Sequence, residues 1–171
     1  WPAWKLNAFT KDLWEIDTNG QTSISVKYNY FANEINAGST FVDEKQLYVN
    51  PVNCCMYVPE WINEPATVEL NIPSDWSVAT GMKSIAKNTF VVKDFHELAD
   101  SPFIASNGLQ YNEYETGGVR FHLWFQGEFK TDWERILKDF KKFTKEQMDV
   151  MGGFPVSEYH FLFQIRTYQT Y

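Results

Sequence analysis

The run from residue 158 to 168, "EYHFLFQIRTY", constrains this chain most, because it reads as a strand with no polar face. Tyr159, Phe161, Phe163 and Ile165 fall on one side of it, His160 and Leu162 on the other. A strand that is apolar on both sides expects cover on both. Termini are usually polar and exposed, so such a strand three residues from the end leads us to expect a polypeptide that continues past Tyr171.

The segment before it supplies one possible cover. At residue 131 the apolar period changes from two to 3.6, and "TDWERILKDFKKFTKEQMDVMGG" predicts a helix over 131–151. Thr131 with Glu134 three positions on suggests a capping box, and Gly152-Gly153 a C-terminal cap. Trp133, Ile136, Leu137, Phe140, Met148 and Met151 make its apolar stripe, while Lys138, Lys141, Lys142 and Lys145 make its solvated side. Burial of each large stripe residue is worth about 1.5–3 kcal/mol, so this helix needs a docking surface, and the strand after Pro155 is the nearest candidate.

The first two-thirds of the chain read as β. "LWEIDTNGQTSISVKYNY" predicts a hairpin about Asn19-Gly20, with Ile24, Val26, Tyr28 and Tyr30 alternating. Further strands are expected at Gln46 to Val49, Cys54 to Val58, Thr67 to Ile72 (stopped by Pro73) and 89–93. Many short strands divided by turn signals suggest a sandwich-like antiparallel pair of sheets, giving a mainly β, α+β chain. A second hairpin, "LQYNEYETGGVRFHLWFQ", turns at Gly117-Gly118 and pairs Glu115 with Arg120, Glu113 with His122 and Tyr111 with Trp124. Tyr114 and Phe121 then share the core side. Tyr111, Glu113, Glu115, Arg120, His122 and Trp124 share the other, a mixed face and the best candidate contact surface in the sequence.

With 171 residues, 44% of them apolar, the chain can hold one domain or a domain and part of another, and it is not disordered. No window is apolar enough for a membrane-spanning helix. A net charge of -7 argues against a nucleic-acid partner. Adjacent Cys54 and Cys55 are expected to be thiols packed as small apolar groups, because neighbouring side chains on a strand point apart. His96, His122 and His160 stand too far apart in sequence to suggest a site, and no H-E-x-x-H occurs, so neither catalytic nor metal-binding residues are expected here. Acid pairs such as Asp43 with Glu44, or Glu113 with Glu115, read as solvated faces rather than as a glycosidase dyad.

Four stretches resemble one family. "LNIPSDWSVATGM" (70–82), "DFHELADSPF" (94–103), "GVRFHLWFQGEF" and "GGFPVSEYHFLFQI" are similar, in that order, to the N-terminal region of the glycyl aminopeptidase-like zinc metallopeptidases (gluzincin clan, peptidase family M sixty-one). The chain departs from the family's signature at Ala99, where valine is usual. The resemblance implies a β accessory domain over 1–127 lacking its first strands, followed over 128–171 by the start of a thermolysin-like catalytic domain that ends before the zinc site. It implies that zinc and the catalytic glutamate belong to the parent protein and that no cofactor is held by this part. The partners implied are the catalytic domain of the same chain and, in the parent, a peptide substrate. The competing reading is a β-sandwich module that binds carbohydrate or protein through exposed aromatics.

Overall fold

A computed structural model describes residues 6–8 and 10–166, and the chain divides into two compact units, Trp1–Phe31 and Ala32–Tyr171. In the first, β1 (Leu6–Ala8) and β2 (Trp14–Ile16) pair antiparallel. Asn19 (φ 47) and Gly20 (φ 77) form a tight turn closed by the Gln21 amide on the Thr18 carbonyl at 2.9 Å. The expected hairpin does not follow from it. β2 pairs backward with β1, and residues 22–30 belong to no strand, with Ile24, Val26, Tyr28 and Tyr30 all exposed. A turn dipeptide sets the local backbone, but strands also need a surface to bury against.

The second unit contains β3 (Phe41–Val42), β4 (Gln46–Val49), β5 (Ala66–Glu69), β6 (Ser77–Thr80), β7 (Lys83–Ala86), β8 (Thr89–Val92), α1 (Phe95–Ala99), β9 (Phe103–Ser106), β10 (Gln110–Thr116), β11 (Val119–Gln126), α2 (Trp133–Met151) and β12 (Glu158–Gln164). They build a four-stranded sheet ordered β3-β4-β9-β6 and two three-stranded sheets, β5-β8-β7 and β10-β11-β12. Every pairing is antiparallel except β11 with β12. The expected mainly β, α+β class is therefore the class found. The expected strand at Cys54 to Val58 is instead irregular chain between two 3-10 turns, Pro51–Asn53 and Pro59–Trp61, each begun by a proline whose fixed φ suits a turn. Cys54 and Cys55 are thiols there, half-buried beside the core of Val49, Met82, Phe90, Val92, Leu98 and Phe103.

The motif "DFHELADSPF" forms α1 and its exit. Asp94 caps the helix by accepting the Glu97 amide at 2.7 Å, and Glu97 reaches back to accept the Lys93 amide. Leu98 goes into the core, and Ser101 donates to the Glu97 carbonyl at 2.6 Å.

The second hairpin folds in the register expected, with Tyr111 opposite Trp124, Glu113 opposite His122 and Glu115 opposite Arg120. Gly117 (φ 59) and Gly118 (φ 78) both adopt positive φ, and a Cβ on Gly117 would lie 2.4 Å from Met148 Cε of α2. α2 starts one residue later than the sequence suggests. Asp132, not Thr131, is the cap, accepting the Arg135 amide at 3.1 Å, because the Thr131 hydroxyl is taken by Gln110 Oε1 at 2.5 Å. Gly152 ends the helix in the left-handed conformation, with the Gly153 amide on the Met148 carbonyl.

β11, α2 and β12 form a parallel crossover, the connection that parallel neighbours require. β12 ends at Gln164, short of the expected 168, and 167–168 lie outside the described residues. The stripe of α2, except for Met151, which sits in the last turn and is 81% exposed, covers one side of the β10-β11-β12 sheet. Tyr114, Val119, Phe121, Leu123 and Phe125 are buried there against Trp133, Ile136, Leu137, Phe140, Met148, Phe161 and Phe163. The β11–β12 ladder crosses the residue 127/128 boundary implied by the resemblance.

Candidate functional site

On the side of this sheet away from α2, alternation and register arrange side chains in rows of three, one from each strand. Glu115, Arg120 and Glu158 make the first row, Glu113, His122 and His160 the second, and Tyr111, Trp124 and Leu162 the third. A fourth row adds Gln126 and Gln164. The rows run from exposed charge to buried amide.

All six residues of the mixed face expected from sequence are thus together. The face is not uniformly open, however. Trp124 is half-buried and, with Leu162, packs against Tyr48, Ala79 and Ile104 of the β3-β4-β9-β6 sheet. Alternation correctly turns Trp124 away from α2, but at this row the opposite side is covered as well. Glu113, Glu115 and Arg120 stay exposed, and Tyr111 is 41% exposed.

The histidines require a correction. His96 stays apart on α1, but His122 and His160 stack with ring centroids 4.1 Å apart and 14° between planes. Parallel pairing makes them direct neighbours although 37 positions (160 − 122 − 1) separate them in sequence. The usable signal was the parity of β12: Glu158 and His160 alternate with the apolar core residues Phe161 and Phe163, so they had to share the far face with Leu162.

Hydrogen bonds order this row. The Tyr111 hydroxyl donates to Glu113 Oε2 and lies 2.9 Å from His122 Nδ1. A phenol has one proton, and Glu113 takes it, so the Tyr111 oxygen accepts from His122 Nδ1–H. Tyr111's hydroxyl is pushed up to about 12, chiefly by burial and then by its bond to Glu113, while that bond holds the Glu113 carboxyl below the usual range. The proton therefore stays on the phenol, and in the His122 tautomer that donates Nδ1–H to Tyr111 the lone pair lies on Nε2, a buried atom with no partner. Trp124 Nε1, which can only donate, gives its proton to His160 Nδ1 at 3.2 Å. Neutral His160 therefore carries its own proton on Nε2. Burial, with His122 as a smaller cause, pulls His160 down to about 4, so it is neutral near pH 7.

His122, Glu158 and His160 each place a ligand atom within 4.8 Å of the others. Two imidazoles and a carboxylate are a donor set of the kind that holds borderline divalent ions. It is not the H-E-x-x-H set of the resembled peptidases, which the sequence does not contain. Elsewhere, the Cys55 thiol holds Cys54 down to about 7 by hydrogen bonding, and the same contact with burial pushes Cys55 up.

Residues 3–107 match the family model described as Peptidase M61 N-terminal domain. The chain belongs to that family, as its four motifs led us to expect. Among solved structures it is similar to an aminopeptidase N family protein from Idiomarina loihiensis, with a TM-score of 0.73 and 26% identity over 80% of this chain. The chain spans 24% of that protein's length. No curated protein matches.

Proposed function

We propose that this chain is the non-catalytic N-terminal part of a zinc-dependent aminopeptidase-like metallopeptidase, in which it positions or shields the catalytic domain. The family match over 3–107 carries this reading, and the 24% share of the similar aminopeptidase N family protein supports it, since most of such a protein lies outside a chain of this length. The parent would hold zinc through an H-E-x-x-H helix that polarises the scissile carbonyl, with a glutamate as general base. Within this part, 1–127 would serve as the accessory domain and 128–171 would lead into the catalytic one. The peptide substrate and the catalytic domain of the same chain are the partners in this reading. The exposed residues of the mixed face, Tyr111, Glu113, Glu115 and Arg120, with the largely buried His122 behind them, are the contact surface, and Trp124 anchors them to the sheet beneath.

The test has two parts. The coding sequence downstream of Tyr171 should encode H-E-x-x-H, and the 171-residue protein should leave aminoacyl and peptide substrates intact with zinc supplied. A stop codon after Tyr171, or turnover by the 171 residues alone, would sink the proposal.

A further inference from the structure

We propose that His122, Glu158 and His160 form a divalent transition-metal site that ties β12 to β11, separate from any peptidase zinc, and that Trp124 controls whether His160 joins it.

His122 is prepared as a ligand. A metal-binding histidine ordinarily donates its second ring proton to a carboxylate or a similar acceptor, which fixes the tautomer. His122 does this through the Tyr111 hydroxyl, with Glu113 behind it, and its Nε2 is left buried and unpartnered. Glu158 lies on the same face, two residues before His160, and makes no ion pair with its register partner Arg120 among the described residues. A Glu158 carboxylate oxygen and a ring nitrogen of each histidine thus lie within 4.8 Å of one another, close enough to share one ion.

His160 completes the set conditionally. Its Nδ1 lone pair is engaged by the Trp124 indole, so Nε2 is protonated and cannot coordinate. Coordination through Nε2 moves that proton to Nδ1, where it meets the Trp124 N–H, and the indole bond must be given up. The ion exchanges one hydrogen bond for one coordinate bond, and the indole opposes the third ligand. Imidazoles with a carboxylate select zinc, cobalt, nickel or copper over magnesium or calcium, which prefer all-oxygen sites.

The experiment uses the untagged 171-residue protein, stripped with chelator and carrying Cys54→Ser and Cys55→Ser to remove soft competitors. Zinc chloride is titrated calorimetrically, and cobalt chloride by its visible absorption, with circular dichroism to verify each variant's fold. One equivalent should bind saturably. His122→Ala should abolish binding, Glu158→Gln, a change at an exposed side chain, should weaken it, and Tyr111→Phe should weaken it by about 10-fold through loss of the Glu113 chain. Trp124→Phe, which removes the indole donor but keeps an aromatic ring, should tighten it. Absence of saturable binding, or binding indifferent to both His122→Ala and Glu158→Gln, overturns the site. Unchanged or weaker binding in folded Trp124→Phe overturns the role given to Trp124. Failure here leaves the peptidase reading standing, because neither arm of its test involves these residues.

Discussion

The two sides of the β10-β11-β12 sheet use one backbone for opposite ends. Toward α2, the inward positions of β11 (Val119, Phe121, Leu123 and Phe125) are all apolar, rings stack on rings (Phe125 on Phe163 at 4.6 Å, Tyr114 on Phe121 at 5.0 Å), and the polar links to the helix and its entry, such as Tyr114 Oη to Thr144 Oγ1 at 3.2 Å and Thr131 Oγ1 to Gln110 Oε1 at 2.5 Å, come from β10. Away from α2, charge, imidazole, indole and amide follow one another in rows, and three of the amide and imidazole side chains, His122, Gln126 and Gln164, hold buried atoms with no partner. Uniform packing gives stability and little chemistry. Graded polarity costs stability, since unmet buried polar atoms are unfavourable, and leaves reactive lone pairs in place.

The contrast can be broken most sharply at Phe121, fully buried between Tyr114, Phe154 and Phe161. Phe121→Ala should destabilise the protein by about 3–5 kcal/mol in urea titrations, through lost transfer energy and the cavity left behind. A loss under about 1 kcal/mol would mean that α2 is not firmly docked on this sheet.

Acid sharpens the contrast from the other side. His160 is down at about 4 in the fold against 6.5 in the open chain, so between these values the unfolded state binds the extra proton. The stability from keeping His160 neutral is complete above pH 6.5 and lost as pH falls through 4. The groups facing it are the imidazole of His122, the indole of Trp124 and, from the turn after β6, Gly81, where an added Cβ would lie 3.8 Å from its Cδ2. Glu158 is the carboxylate on the same strand and face. Metal-free protein should lose on the order of 1–2 kcal/mol more than a His160→Phe variant over that interval, allowing for solvent screening of a partly open group. Parallel acid curves for the two proteins would show that His160 is not neutral by virtue of burial.

Much of this arrangement was legible from local pattern. Both turn dipeptides, Asn19-Gly20 and Gly117-Gly118, adopt the positive φ that their residues permit. Only the second leads into paired strands, because Phe121, Leu123 and Phe125 have α2 to bury against, while Ile24 and Val26 remain 41% and 49% exposed. The stripe of α2 was readable because a 3.6 period needs no knowledge of the partner, whereas its cap was not, since Thr131 is diverted to Gln110 by a contact across the fold. The histidine pair was hidden for a similar reason: the β11–β12 register is set by the length and docking of α2, not by either strand's own sequence. The order hairpin, helix, strand did contain the cue, because parallel neighbours need a crossover connection and a helix between two strands supplies one.

The mixed face is tested most directly by a long-range proton–nitrogen NMR spectrum of the imidazoles in metal-free protein near neutral pH. His122 should show its proton on Nδ1 and a bare Nε2, and His160 the reverse, as the Tyr111 and Trp124 hydrogen bonds require. A His122 protonated on Nε2, or two rings averaging freely between tautomers, would contradict the prepared lone pair on which the reactive character of this face rests.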